Sequence, residues 1–156
     1  MSCNALSDYL ESGLLKHIFL GSSFNKPSNI TVALTSGEIL DHHTGETIPE
    51  LASGDGNTLS GYARISLGDP SSVGDSTWIY DQADHDQGSG LIKNSGAIVF
   101  EAALTDWGYV SGIAIVDHAD YGSGNLLMHS TLDNPRIVYK GDSVKFDVTN
   151  LQVKFN

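Results

Sequence analysis

The sequence has few of the residues that build covalent, metal-bound or membrane-spanning frameworks. It contains a single cysteine, Cys3, which excludes an internal disulfide framework and a CxxC metal motif. No basic segment precedes an apolar run at the start, and the leucine-rich stretch 14–20 is interrupted by Lys16 and His17. We therefore expect neither a secretory signal peptide nor a transmembrane helix. We expect the protein to be made in a cytoplasm.

Positive charge is also scarce. The 156 residues include 8 Lys and Arg against 19 Asp and Glu, which gives a formal net charge of −11. A surface of this sign repels the phosphates of nucleic acids and anionic lipid, so we expect neither nucleic acid nor a membrane as a partner. The length suits one domain over residues 1–156, with one core that needs no disulfide or metal. The charge favours a neutral or basic protein surface as the partner.

The first part of the chain has the periodicity of an amphipathic helix. An apolar stripe recurs at helical spacing and consists of Leu6, Leu10, Leu14, Leu15, Ile18 and Phe19. It predicts a helix at 6–20 that is capped by Ser7 or Asp8 and ended by Gly21. Gly13 indicates a close approach by neighbouring backbone. The stripe is typical of a helix packed on a sheet, and it also suits a helix that inserts into a partner subunit.

From residue 30 onward, the spacing changes to short β-type runs between Gly, Asn, Asp and Ser. The pattern predicts a mainly β fold, a jelly-roll-like or immunoglobulin-like β-sandwich of about 8–9 antiparallel strands over 30–155, with one N-terminal helix. The predicted strands are 30–34, 62–67, 77–80, 97–100, 110–116, 126–132, 136–139, 143–148 and 151–155. Since the last two alternate apolar and polar residues around Thr149 and Asn150, they are expected to form a hairpin.

Two long polar segments, 36–60 and 68–90, interrupt the predicted strands. Loops of this length in a compact domain usually carry function, so we expect them to be contact surfaces. Exposed aromatic and imidazole side chains are the expected interface residues, namely Trp78, Tyr80 and His85 in the second segment and His42 and His43 in the first. Trp107 precedes a predicted buried strand and is expected in the core.

Catalytic and metal-binding motifs are weak. Carboxylates and imidazoles cluster in three places, which are Asp41 to His43, Asp81 to Asp86 and Asp117 to Asp120. No cluster has the spacing of HExxH or of an EF-hand, so solvated acidic turns are favoured over a metal site. There is no GxSxG motif, and we expect no catalytic residues, no cofactor and no metal. Carboxylates that meet only in the fold stay open as an alternative.

An ordered set of short segments resembles a known group of proteins. The segments are LSDYLE at 6–11, ITVALTS at 30–36, GYAR at 61–64, NSGAI at 94–98, DWGYV at 106–110, GNLL at 124–127 and GDS at 141–143. This order resembles small virion proteins of tailed bacteriophages, of the tail-fibre-like or capsid-decoration type. The stretches 41–57 and 81–90 depart from that pattern, because they are longer and more acidic. The resemblance implies a non-enzymatic protein without a cofactor on the outer surface of the virion, made in the host cytoplasm.

The position on the particle is a separate question. A receptor-reaching fibre generally needs a shaft of repeats or a heptad stalk, and 156 residues with neither predict a compact block. A block favours a capsid decoration or cement protein that binds the major capsid protein or other virion proteins as a homotrimer. A tail-fibre or receptor-binding and glycan-binding module of the tail is the alternative. A sugar-binding sandwich would place Trp78 in a shallow exposed cleft.

Overall fold

The computed structural model describes residues 1–51, 59–73, 76–80 and 90–155. In these ranges the chain forms eleven strands, one 12-residue helix and one helical turn. The strands are β1 (Ser2–Cys3), β2 (Ala5–Leu6), β3 (Thr31–Thr35), β4 (Ile65–Ser66), β5 (Trp78–Tyr80), β6 (Leu91–Asn94), β7 (Ile98–Val99), β8 (Gly108–Val116), β9 (Leu126–Val138), β10 (Lys145–Phe146) and β11 (Gln152–Lys154). The helices are α1 (Asp8–Phe19) and the turn α2 (Pro70–Val73).

The strands form three sheets. A five-stranded sheet has the order β2-β9-β8-β3-β4, a four-stranded sheet has the order β1-β11-β6-β5, and β10 pairs with β7. All pairings are antiparallel except that of β1 with β11. The mainly β fold with an N-terminal helix is therefore confirmed, whereas β1, β2 and β6 lie outside the predicted strands.

The centre of the five-stranded sheet is apolar on both faces. In β3 and β8, Val32 lies opposite Ile115 and Leu34 opposite Ile113, and every residue of β3 is buried. Since strands with such runs need cover on both sides, the chain must supply two apolar layers. One layer contains Tyr62, Phe100 and Trp107, and the other contains Ile39 and Ile48. The segment predicted as the loop 36–60 thus buries apolar residues against the sheet.

Two predicted strands, 126–132 and 136–139, merge into the single strand β9. Its register with β8 shifts so that Val110 lies opposite Arg136 while Gly112 lies opposite Thr131. Four residues of β9 therefore face one residue of β8, and they include Pro135. Because proline cannot donate a hydrogen bond to the ladder, it is tolerated at such an irregularity.

The predicted C-terminal hairpin is wrong. Strand β10 pairs with β7, and β11 pairs with β6 and β1. A buried side chain, Asn94, separates them: its Nδ2 donates to the carbonyls of Gly96 (2.7 Å) and Asp147 (2.9 Å), and its Oδ1 accepts from the Leu151 N–H at 2.9 Å. The turn itself is present, with Thr149 at φ 66°. The two strands therefore leave this turn into different sheets.

A buried ion pair joins the loops around the central sheet. All five N–H donors of Arg64 are used: two bond to the Glu50 carboxylate (2.8 Å each), and three bond to the carbonyls of Gly45, His118 and Ser123 (2.8–2.9 Å). The Tyr62 hydroxyl donates to Glu50 Oε1 at 2.7 Å. Burial, followed by the charge of Glu50, raises the pKa of Tyr62 well above 10.0. These bonds connect the segment before Leu51 to the turn at 117–125.

Candidate interaction surface

Residues 8–30, here called the arm, consist of α1 and the chain that returns along it. Ser7 is the N-cap of α1, and its Oγ accepts from the Leu10 N–H at 3.2 Å. Gly21 follows the helix in the left-handed conformation, at φ 68°. The predicted capping residue and the predicted terminating glycine are therefore both confirmed. The observed helix is shorter than predicted, because Leu6 pairs in β2. An added Cβ at Gly13 would lie 2.3 Å from the Phe24 ring, so the neighbour predicted as backbone is a side chain.

The base of the arm is fixed to the β part of the molecule. The Ser7 N–H donates to the carbonyl of Leu127 at 3.0 Å, and the Asp8 N–H donates to that of Asp41 at 2.8 Å. Leu10 and Ile30 pack against the cluster around Met128. These contacts involve the start and the end of the arm, whereas residues 15–23 in its middle are exposed.

The far end of α1 exposes apolar side chains. None of the residues of α1 is buried. Phe19 is 74% exposed and Ile18 is 66% exposed. We call the exposed group the tip, and it consists of Leu15, Ile18, Phe19 and Leu20. An apolar cluster of this kind on a surface marks a site of interaction.

An apolar cleft opens beside the base of the arm, between the two larger sheets. Its volume is about 200 Å³, and it is open to solvent on one side. Every side chain that lines it is apolar: Leu10, Pro27, Ile30, Trp78, Ile92, Ile115, Leu127, Met128 and Val153. The cleft is therefore suited to an apolar side chain and has little to offer a polar ligand.

The structure separates the residues predicted for an interface. Trp78 lines the cleft, and Tyr80 is 44% exposed at the end of the same strand. His42 and His43 lie in the turn beside Asp41, with ring centroids 5.0 Å apart. His43 is half-buried, and its Nδ1 accepts from the Leu40 N–H at 3.1 Å. His85 lies outside the described residues.

The tip was not among the predicted interface residues. Its signal was present in the sequence, because Leu15 and Phe19 widen the apolar stripe beyond the width that one contact with a sheet covers. The stripe alone does not say which part is covered. Only the fold shows that Leu10, near the start of α1, packs against the sheet while Ile18 and Phe19 stay exposed.

One imidazole and carboxylate pair lies near the base of the arm. His129 Nε2 is 2.9 Å from Asp41 Oδ1, and the His129 side chain is mostly buried. In the ranges that the structure describes, no Ser, Thr or Cys side chain hydrogen-bonds to this pair, and no three His, Cys, Asp or Glu side chains meet as metal ligands would. The pair connects the loop at Asp41 to β9. The predicted cluster Asp81 to Asp86 lies outside the described residues.

Cys3 is fully buried in β1, in the cluster with Ile115 and Met128. Burial raises the pKa of its thiol from 9.0 to about 12. Since the thiolate is the reactive form, this cysteine packs as a small apolar residue.

The family model described as Podophage GP4 fiber I protein gp80 matches residues 5–154. The chain belongs to this family. The match covers the arm, the residues that line the cleft and every strand except β1, and it confirms the resemblance to small tailed-phage virion proteins of the tail-fibre-like type. As a member of the gp80 fibre family, the chain is a phage virion structural protein. No curated protein matches it.

Among the described residues of this gp80 family member, no helix is long and apolar enough to cross a bilayer.

Proposed function

We propose that the chain is a fibre-type structural component on the outer surface of a tailed phage particle, where it acts through protein contacts as a homotrimer. The observation that carries the proposal is the pair of apolar surfaces, the tip and the cleft, in a chain of the fibre I family. Both surfaces suit polypeptide partners, and the family supports a non-enzymatic role.

The chemistry of the cleft favours a protein over a sugar. A saccharide is held by polar groups that bond to its hydroxyls, usually beside an aromatic ring. Trp78 supplies a ring, yet its neighbours in the cleft all have aliphatic or, for Met128, sulfur-containing side chains. A saccharide in this cleft would lose water without gaining hydrogen bonds. An apolar side chain of another polypeptide loses nothing of this kind.

Capsid decoration, with the major capsid protein as the partner, is the second candidate. It is favoured by the compact arrangement of the described residues, in which β1 and β11 lie side by side in one sheet and neither repeats nor heptads form a shaft. A block bound in many copies can brace a shell even when each copy binds weakly. The acidic chain would then complement a basic patch on that shell.

The copy number in purified particles tests the proposal and separates the two candidates. Quantitative mass spectrometry would compare the chain with the major capsid protein. For a fibre component we expect a small number of copies per particle, and deletion should abolish adsorption while leaving the heat resistance of the heads unchanged. Copies comparable in number to the capsid protein, with heads that rupture at lower temperature after deletion, would support decoration. Absence from purified particles would contradict both.

A further inference from the structure

We propose that the tip of one copy occupies the apolar cleft of a neighbouring copy, with the Phe19 ring as the inserted group. This inference rests on the proposed function, because it specifies the contact between copies in a homotrimer. Each copy carries one tip and one cleft on different parts of its surface. Such a contact is head-to-tail and closes into a ring when the rotation between copies allows it.

The arm presents its tip as a rigid group. After α1, the Ser22 N–H donates to the carbonyl of Lys16 at 3.2 Å, and the Phe24 N–H donates to Nδ1 of His17 at 3.2 Å. The Phe24 ring packs on Tyr9, with centroids 5.8 Å apart. The returning chain thus braces the helix along its length. A preorganised apolar end loses little conformational entropy when it binds.

The tip cannot reach the cleft of its own chain. Leu10, on the same helix, lines that cleft. Phe19 follows nine residues later, which places it about 13 Å farther along the helix axis. The braced arm cannot fold back over this distance without breaking the helix. The cleft that Phe19 can fill therefore belongs to another copy.

The size and the apolar lining of the cleft match the Phe19 ring. The cleft has a volume of about 200 Å³. An apolar cavity of about 150 Å³ accommodates benzene, so a cleft of this size admits one phenyl ring. Phe19 is the most exposed aromatic side chain of the described residues, at 74%. Transfer of this ring from water into the cleft is favourable, because it removes apolar surface of both the ring and the cleft from water.

The distal part of the arm differs in charge from the rest of the chain. Asp8 and Glu11 lie in the first turn of α1, whereas the charged residues of 12–30 are Lys16 and Lys26 alone. The whole chain carries a net charge of −11, so residues 12–30 carry +2 and the remaining residues carry −13. Two copies that met through their acidic parts would repel each other. A contact between the distal part of one arm and the rest of the next copy brings opposite net charges together.

The first test is a cross-link between two single-site variants, Phe19→Cys and Ile92→Cys. Ile92 lines the cleft. The native thiol does not compete, because Cys3 is buried. Under mild oxidation we expect a disulfide-linked dimer on non-reducing gels only when the two variants are mixed. A dimer that is no stronger in the mixture than in either variant alone, or in the unmodified chain, would overturn the inference.

The second test is the oligomeric state in sedimentation equilibrium. The double change Ile18→Ser and Phe19→Ser alters only exposed side chains, so the fold should remain intact by circular dichroism. We expect its dissociation constant for self-association to rise roughly 100-fold. The matched control is Val99→Ser, an exposed β-branched residue on the short sheet, at 49% exposure. It should leave self-association unchanged.

Three further outcomes count against the inference. Unmodified chain that sediments as a monomer would exclude the contact, as would tip variants that assemble as well as the unmodified chain. Insertion of the tip into phosphatidylcholine vesicles by a monomeric chain would assign the tip to lipid instead. None of these outcomes affects the copy number in particles, so the failure of this contact can be told apart from the failure of the virion role.

Discussion

Removal of the Arg64 guanidinium should unfold this domain more effectively than removal of any other charge in the described residues. The Arg64→Ala variant leaves the Glu50 carboxylate, whose side chain is 2% exposed, without its counter-ion. It also removes the Arg64 donors from the carbonyls of Gly45 and Ser123, while the carbonyl of His118 keeps only the Thr31 hydroxyl at 2.8 Å. A buried charge that loses its partner destabilises a protein by about 3–5 kcal/mol. That is a large fraction of the total stability of a domain, which is about 5–15 kcal/mol.

The measurement is urea denaturation followed by tryptophan fluorescence, which reports on the buried Trp107 and on Trp78 in the cleft. We expect the midpoint to fall while the slope stays similar, since the change affects stability more than the surface exposed on unfolding. The surface pair of Lys145 and Asp147, 2.7 Å apart with side chains 53% and 67% exposed, is the matched control. Lys145→Ala should cost less than about 0.5 kcal/mol, because exposed ion pairs contribute little. A loss below about 1 kcal/mol for Arg64→Ala, or an equal loss for the control, would refute the reasoning.

Three more predictions concern the packing. Asn94→Ala removes three hydrogen bonds from the buried turn, so urea denaturation should give a loss of about 2–3 kcal/mol, and a loss near zero would contradict the role assigned to this amide. Gly45→Ala would place a Cβ 2.1 Å from the Ser123 carbonyl and should lower the melting temperature, whereas Gly96→Ala meets nothing within 4 Å and should change it little; equal shifts would disprove the steric argument. Stability should fall as pH rises from 9.0 towards about 12, because the folded chain keeps the Cys3 thiol protonated while the unfolded chain releases the proton. Tyr62, whose pKa is also raised by burial, contributes in the same sense, so Cys3→Ala should reduce the fall in melting temperature over this range without abolishing it, and an unchanged fall would exclude the thiol as a source.

Local features of the fold could be predicted from the order of the residues. The apolar stripe and its caps placed α1 between Ser7 and Gly21, because helix periodicity and terminal hydrogen bonding depend on neighbours a few residues apart. The alternation of short apolar runs established a mainly β fold for the same reason. The order of the short segments also established the phage virion family, which the match over residues 5–154 confirms.

The pairing of distant segments became known from the fold. The alternation around Thr149 predicted a hairpin, yet the amide of Asn94, far away in sequence, directs the two strands into different sheets. The polar segment 36–51 is held against the central sheet because Arg64 and Glu50 meet in the core. The exposure of the tip also depends on the fold, because only the start of α1 packs against the sheet. Long-range contacts of this kind combine residues whose separation in the chain carries no periodic signal, so no local pattern encodes them.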